Sequence, residues 1–179
     1  AMLPQLYAFT KFHEEEVEAC WCRGMYELSE TFALRRAEFE FLLNSKLVGL
    51  STCRFLFHEV MDTDDNELVD KFETMCLICL ASALSNTKKV QMLFDLFNLN
   101  DKGYLTESEI SLMILSVARV VEKVDSKWPI PAKPAWLHVV KLSLKHFSKL
   151  DSTKTTLRKP ELVRFAAETA EVTRYLDAW

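Results

Sequence analysis

Asn98-Leu99-Asn100-Asp101-Lys102-Gly103-Tyr104-Leu105-Thr106-Glu107-Ser108-Glu109 is the stretch on which the reading of this chain turns. A loop that wraps a calcium ion takes ligands from positions 1, 3, 5, 7, 9 and 12 and places glycine at 6. Asn98, Asn100, Lys102, Tyr104, Thr106 and Glu109 fall at those positions, with Gly103 at the turn. Glycine there supplies a positive φ at no steric cost, Leu105 is set to form a short strand, and Glu109 would be the bidentate ligand. Phe94 and Phe97 before the loop, and Ile110 and Ile114 after it, are spaced as the apolar faces of two helices. The amides of Asn98 and Asn100 and the ammonium of Lys102 leave Glu109 as the one carboxylate among the ligand positions. Because affinity follows ligand charge, this loop is expected to hold calcium weakly or not at all.

Three weaker copies recur at a spacing of roughly 35 residues, the mark of a repeated helix-loop-helix unit. Glu27 to Glu38 keeps Leu34 at the strand position and a glutamate at the end, but puts Phe32 where glycine belongs. The stretch from Asp62 to Glu73 places Asp62, Asp64, Asn66, Asp70 and Glu73 at positions 1, 3, 5, 9 and 12, yet Glu67 takes the glycine position. An L-residue held at positive φ costs on the order of 1 kcal/mol or more, so the charge is right and the turn is wrong. Asp151 to Glu161 is one residue short, with Lys154 and Thr155 where an acid and glycine belong, and is not expected to bind. The expected cofactor is none, or weak Ca2+ at 62–73 and 98–109.

Helical periodicity predicts helices over Phe12–Tyr26, Arg36–Leu43, Leu47–Met61, Val69–Leu84, Lys88–Phe97, Glu107–Val121, Ala135–Lys149 and Pro160–Tyr175. Pro129, Pro131 and Pro134 make Asp125–Pro134 a stiff extended connector. With only three glycines and five prolines, a sandwich or barrel lacks its turns, so the fold class is all-α. Two domains are expected: 1–84, holding the first two helix-loop-helix units, and 85–179, holding the second two with the proline-rich insertion 125–134 and a C-terminal helix.

Over Phe12–Thr169 the chain resembles the four-EF-hand calmodulin superfamily. Its long entrance helix and stretched link before the last unit are most similar to calcineurin-B-like and neuronal-calcium-sensor proteins. The resemblance implies four units in two paired lobes, loops joined by short antiparallel strands, and an apolar groove that takes a target helix. Phe55, Phe57, Met75, Ile78, Met92, Phe94, Ile114 and Leu115 exceed what one face of each helix needs for a core, and are the candidate wall of that groove. Its candidate occupants are a partner helix, a second copy of the chain, or the C-terminal segment around Val172, Tyr175, Leu176 and Trp179.

Other functions find less support. A net charge of −4 with no basic run argues against nucleic acid. No apolar stretch reaches the roughly 18–20 residues of a membrane span, and the start lacks a signal-peptide layout, which points to a cytoplasmic protein. Ala1-Met2 reads as a remnant ahead of an internal start, the expectation for a piece of a longer protein. Five cysteines, an odd number, read as reduced thiols; Cys76 and Cys79 form a C-x-x-C within the apolar run Met75–Ala83, where cysteine is core filler rather than a zinc ligand. His13, His58, His138 and His146 are scattered and expected at helix flanks. No nucleophile elbow or phosphate loop appears, so no enzymatic activity is expected. The function that follows is a non-catalytic, largely calcium-independent EF-hand-like interaction module. The alternatives are a calcium sensor with one or two working hands, and a regulatory segment of a larger enzyme.

Overall fold

A computed structural model of the protein describes residues 4–127 and 156–177. The chain is mostly helical, and no helix among the described residues is long and apolar enough to cross a membrane. It divides into two compact units, one formed by residues 4–84 with 119–127 and the other by 85–118 with 156–177. The end of the long helix after the third loop thus belongs to the first unit, where sequence alone suggested a single boundary after Leu84.

In the first unit a 3-10 helix, Pro4–Lys11, precedes α1 (Glu14–Cys22), which widens into a π-helical turn over Arg23–Glu27. Sequence periodicity missed the opening turns, whose Leu6 and Phe9 are buried and pack toward the fifth helix. α1 starts where the carboxylate of Glu16 reaches back to the amide of His13 (2.9 Å), and three glutamates in its first turn oppose the dipole. Strand β1 (Ala33–Leu34) leads into α2 (Arg36–Leu42). The expected helix Leu47–Met61 is broken at Gly49, whose φ of 90° starts a new helix: α3 is Ser45–Val48 and α4 Leu50–Phe55, continued by a π-helical stretch, Leu56–Met61. Strand β2 (Val69–Asp70) then leads into α5 (Lys71–Ala81), which starts two residues later than periodicity suggested because the Asp70 side chain accepts from the Glu73 amide at 2.9 Å.

β1 and β2 pair antiparallel, Leu34 opposite Val69 and Ala33 opposite Asp70. Each of the 11 residues of α5 is buried, the pattern of a helix enclosed by its neighbours. Around it Phe39 and Phe57 meet edge to face at 5.4 Å, and Gly24 sits so close to Met75 and Leu42 that a Cβ would lie 3.1 Å from the Met75 sulfur. Lys71, buried in this core, donates to the Leu28 carbonyl (2.9 Å) and lies over the Phe32 ring. Burial pushes its ammonium pKa below the ordinary lysine value.

In the second unit α6 (Asn86–Phe97) begins at Ser85, whose hydroxyl accepts from the Lys88 amide. Strand β3 (Tyr104–Thr106) precedes α7 (Glu107–Lys127). α7 runs to two residues before Pro129, so Asp125–Lys127, expected in the extended connector, are helical; proline restricts only the residue directly before it. Strand β4 (Thr156–Arg158) pairs with β3 antiparallel, Leu105 opposite Leu157. The expected single helix Pro160–Tyr175 is two, α8 (Lys159–Glu168) and α9 (Ala170–Asp177), broken at Thr169, which has left the helical region. α9 packs on α6 and α8 with Leu176 buried, while Thr173 Oγ1 donates to the Ala166 carbonyl at 3.0 Å. The expected helix Ala135–Lys149, the rest of the proline connector, and Trp179 lie outside the described residues.

Candidate functional site

The four loops are best compared at their strand positions and closing glutamates. Leu34, Val69, Leu105 and Leu157 are each the apolar residue four before a glutamate, and each is buried in a two-stranded ladder. Three loops are described with helices on both sides; of the fourth, the strand and the helix after it are described.

The second and third loops share an unusual backbone. Asp65 and Glu67 have φ of 53° and 60°, and Asp101 and Gly103 have φ of 50° and 73°, at the same two offsets from Asp62 and Asn98. Glu67 therefore makes the turn that its identity argues against. The compensation is local: Asp62 accepts from the amides of Asn66 (3.1 Å) and Glu67 (3.0 Å), one on each oxygen, and Asn66 bridges Asp64 and the Leu68 amide. Replacing Glu67 by glycine is expected to relieve the left-handed strain, less the larger entropy of glycine in the unfolded chain, for a net gain of about 0.5 kcal/mol. A melting temperature raised by about 2–4 °C is the check.

The closing glutamates divide three to one. Glu38, Glu109 and Glu161 each turn one carboxylate oxygen back to the amide three residues earlier, on Arg35 (2.7 Å), Thr106 (2.8 Å) and Arg158 (2.8 Å). Glu109 also accepts from the Thr106 hydroxyl at 2.8 Å. At α7 the Thr106 hydroxyl also accepts from the Glu109 amide at 3.3 Å, a full capping box, whereas at α2 and α8 the glutamate supplies the back-reaching half alone, since arginine has no side-chain acceptor. Glu73 does not do this. Its carboxylate, almost wholly buried, faces Lys123 Nζ at 2.8 Å through Oε2 and Arg119 Nη1 at 3.5 Å through Oε1. Lys123 also donates to the Met61 carbonyl at 2.7 Å. An open cleft beside this pair is lined by Thr63, Asp64, Arg119 and Glu122.

At the ligand positions of the second loop the carboxylates are already engaged by the chain. Both oxygens of Asp62 are held by loop amides, Glu73 is held by cations, and Asp70 caps α5. Among the described residues no three His, Cys, Asp or Glu converge as metal ligands. In the third loop Lys102 is exposed, Tyr104 and Thr106 lie in β3, and Asn98 Oδ1 is buried without a hydrogen-bond partner. Asn100 is exposed.

The candidate groove residues separate by unit. Phe57, Met75 and Ile78 of the first unit, and Phe94 and Ile114 of the second, are core residues rather than wall. Phe55 and Met92 are half-buried, and Leu115 is 50% exposed with Leu112 nearby on α7 at 40%. Sequence overcounted the wall because a helix enclosed on all sides, as α5 is, carries apolar residues beyond one face for packing alone. It missed Arg119 and Lys123, whose four-residue spacing on a largely apolar helix was the available signal.

Cys20, Cys53, Cys76 and Cys79 are buried free thiols and Cys22 is exposed. Burial pushes Cys20 and Cys53 up to about 11 and Cys76 well above the usual thiol range. Since the thiolate is the reactive form, one fast and four slow thiols are expected on labelling of the folded protein near pH 8, with Cys22 the fast one. Peptide mapping after a short pulse of iodoacetamide checks this. His13 and His58 are exposed, and His138 and His146 lie outside the described residues.

No family model matches the chain, and no curated protein matches it.

Proposed function

We propose that the protein is a non-catalytic interaction module of EF-hand type that holds a partner helix without requiring calcium. The observation that carries the reading is the fate of the four closing glutamates. Each is engaged by the chain itself, three by helix-starting amides and one by lysine and arginine, while the ladders Leu34–Val69 and Leu105–Leu157 join two loops within each unit. A scaffold whose loops are closed by internal contacts has its shape before any ion arrives. What it offers a partner is apolar surface on helices, with Met92, Leu112 and Leu115 the accessible members in the second unit. Amphipathic helices dock on such surfaces through anchors spaced three, four and seven residues apart. The cytoplasmic setting and the partner's class belong to the same proposal.

The test is binding of a fluorescent amphipathic model helix with leucine and phenylalanine anchors to the full chain, measured in excess calcium and in excess chelator. Equal affinity in both, lost on Leu115→Glu, is the expected result. Binding that needs calcium would favour a sensor instead, and no binding in either condition would remove the helix-holding reading.

A further inference from the structure

We propose that Lys123 is a tethered ammonium that closes the 62–73 loop in place of a divalent cation. The loop enters after the Met61 carbonyl and ends at the Glu73 carboxylate, and Lys123 Nζ touches both, at 2.7 Å and 2.8 Å. A bound ion at such a loop would likewise draw together oxygen groups from its two ends, above all the glutamate at position 12. Lys123 brings the positive charge, and the two contacts make a clamp rather than a surface ion pair. Its side chain is 18% exposed and that of Glu73 is 4% exposed, so solvent screening is slight. Arg119, 65% exposed, is a weaker second cation on the other oxygen.

The assignment explains a contrast that sequence leaves unexplained. The loop richest in carboxylates is the one whose closing glutamate is not folded back onto the amide three residues earlier, because that carboxylate is committed to α7. The charged groups facing the clamp are Asp64 and Glu122 in the adjoining cleft, together with Arg119. Metal entering this loop must expel Lys123 from Glu73, so the lysine sets the loop's indifference to calcium and fixes residues 119–127 to the loop at the same time. The inference rests on the reading of 62–73 as a calcium-type loop whose closure is internal.

The experiment uses the full chain with calcium alone as the probe, followed by calorimetry and by thermal unfolding. In the unaltered protein calcium is expected to leave the melting temperature unchanged. Lys123→Met keeps the apolar stem and removes the charge. It is expected to gain one calcium site at least about tenfold tighter than any in the unaltered chain, and a melting temperature that rises with calcium. The gain is expected to vanish in the Lys123→Met, Glu73→Gln double variant. A folded Lys123→Met protein that ignores calcium overturns the latch while leaving the interaction-module reading intact; tight binding to the unaltered chain overturns that reading instead. If Lys123→Met folds only when calcium is added, the latch is supported. If it folds in neither condition, pulse acetylation of the unaltered protein decides: Lys123 is expected to react at least about tenfold more slowly than the exposed Lys46 and Lys102, and equal rates overturn the proposal.

Discussion

Leu105→Asp is expected to unfold the second unit. Leu105 is fully buried and stands opposite Leu157 in the β3–β4 ladder, which joins the third loop to the fourth. An aspartate there loses the apolar contacts and must either bury an unpaired carboxylate or take up a proton. Together these cost about 4 kcal/mol or more, a large share of the stability of a small domain. The expected outcome is loss of protection from hydrogen exchange over α6, β3 and α8. Leu99→Asp provides the control, since Leu99 lies in the same loop at 47% exposure and should change stability by less than about 0.5 kcal/mol. If both substitutions behave alike, the ladder is not what holds the two loops.

In the first unit Phe57→Ala is expected to destabilise by about 3–5 kcal/mol, the range for emptying a buried phenylalanine site. Phe57 has no exposed surface and packs edge to face on Phe39 with centroids 5.4 Å apart. It lies in the π-helical stretch before the second loop, where its carbonyl accepts from the Asp62 amide at 2.8 Å. Both single variants and the double Phe57→Ala, Phe39→Ala should show a coupling of about 0.5–1.5 kcal/mol in denaturant unfolding. A coupling near zero would mean that the two rings fill separate cavities.

Much of this arrangement was legible in the sequence, and the parts that were not have identifiable causes. The strand positions were legible because one apolar residue recurs four places before a glutamate, as at Leu105 and Glu109, and the ladder register follows from it. The start of α5 was not, since periodicity counts Val69 as one more apolar residue of a helix, whereas Asp70 fixes the boundary by capping the Glu73 amide. Gly49 and Thr169 divide segments that periodicity joins, because a hydrophobic pattern survives a bend when both halves pack on the same core. The turn at Glu67 is hidden from residue type for an energetic reason. A strain of about 1 kcal/mol is offset by the two amide hydrogen bonds to Asp62, which residue type alone does not reveal. The Lys123 clamp was least legible of all, since Met61 and Lys123 are far apart in sequence and meet only once α7 is placed.

Calorimetric titration of calcium into the metal-free full chain tests the central claim most directly. Closing glutamates engaged by backbone amides and by Lys123 predict little heat and unchanged helicity up to roughly 10⁻⁵ M calcium, the upper end of the range in which sensor hands respond. Binding tighter than about 10⁻⁶ M, with heat removed by Glu73→Gln or Glu109→Gln, would contradict the account and make the protein a calcium sensor.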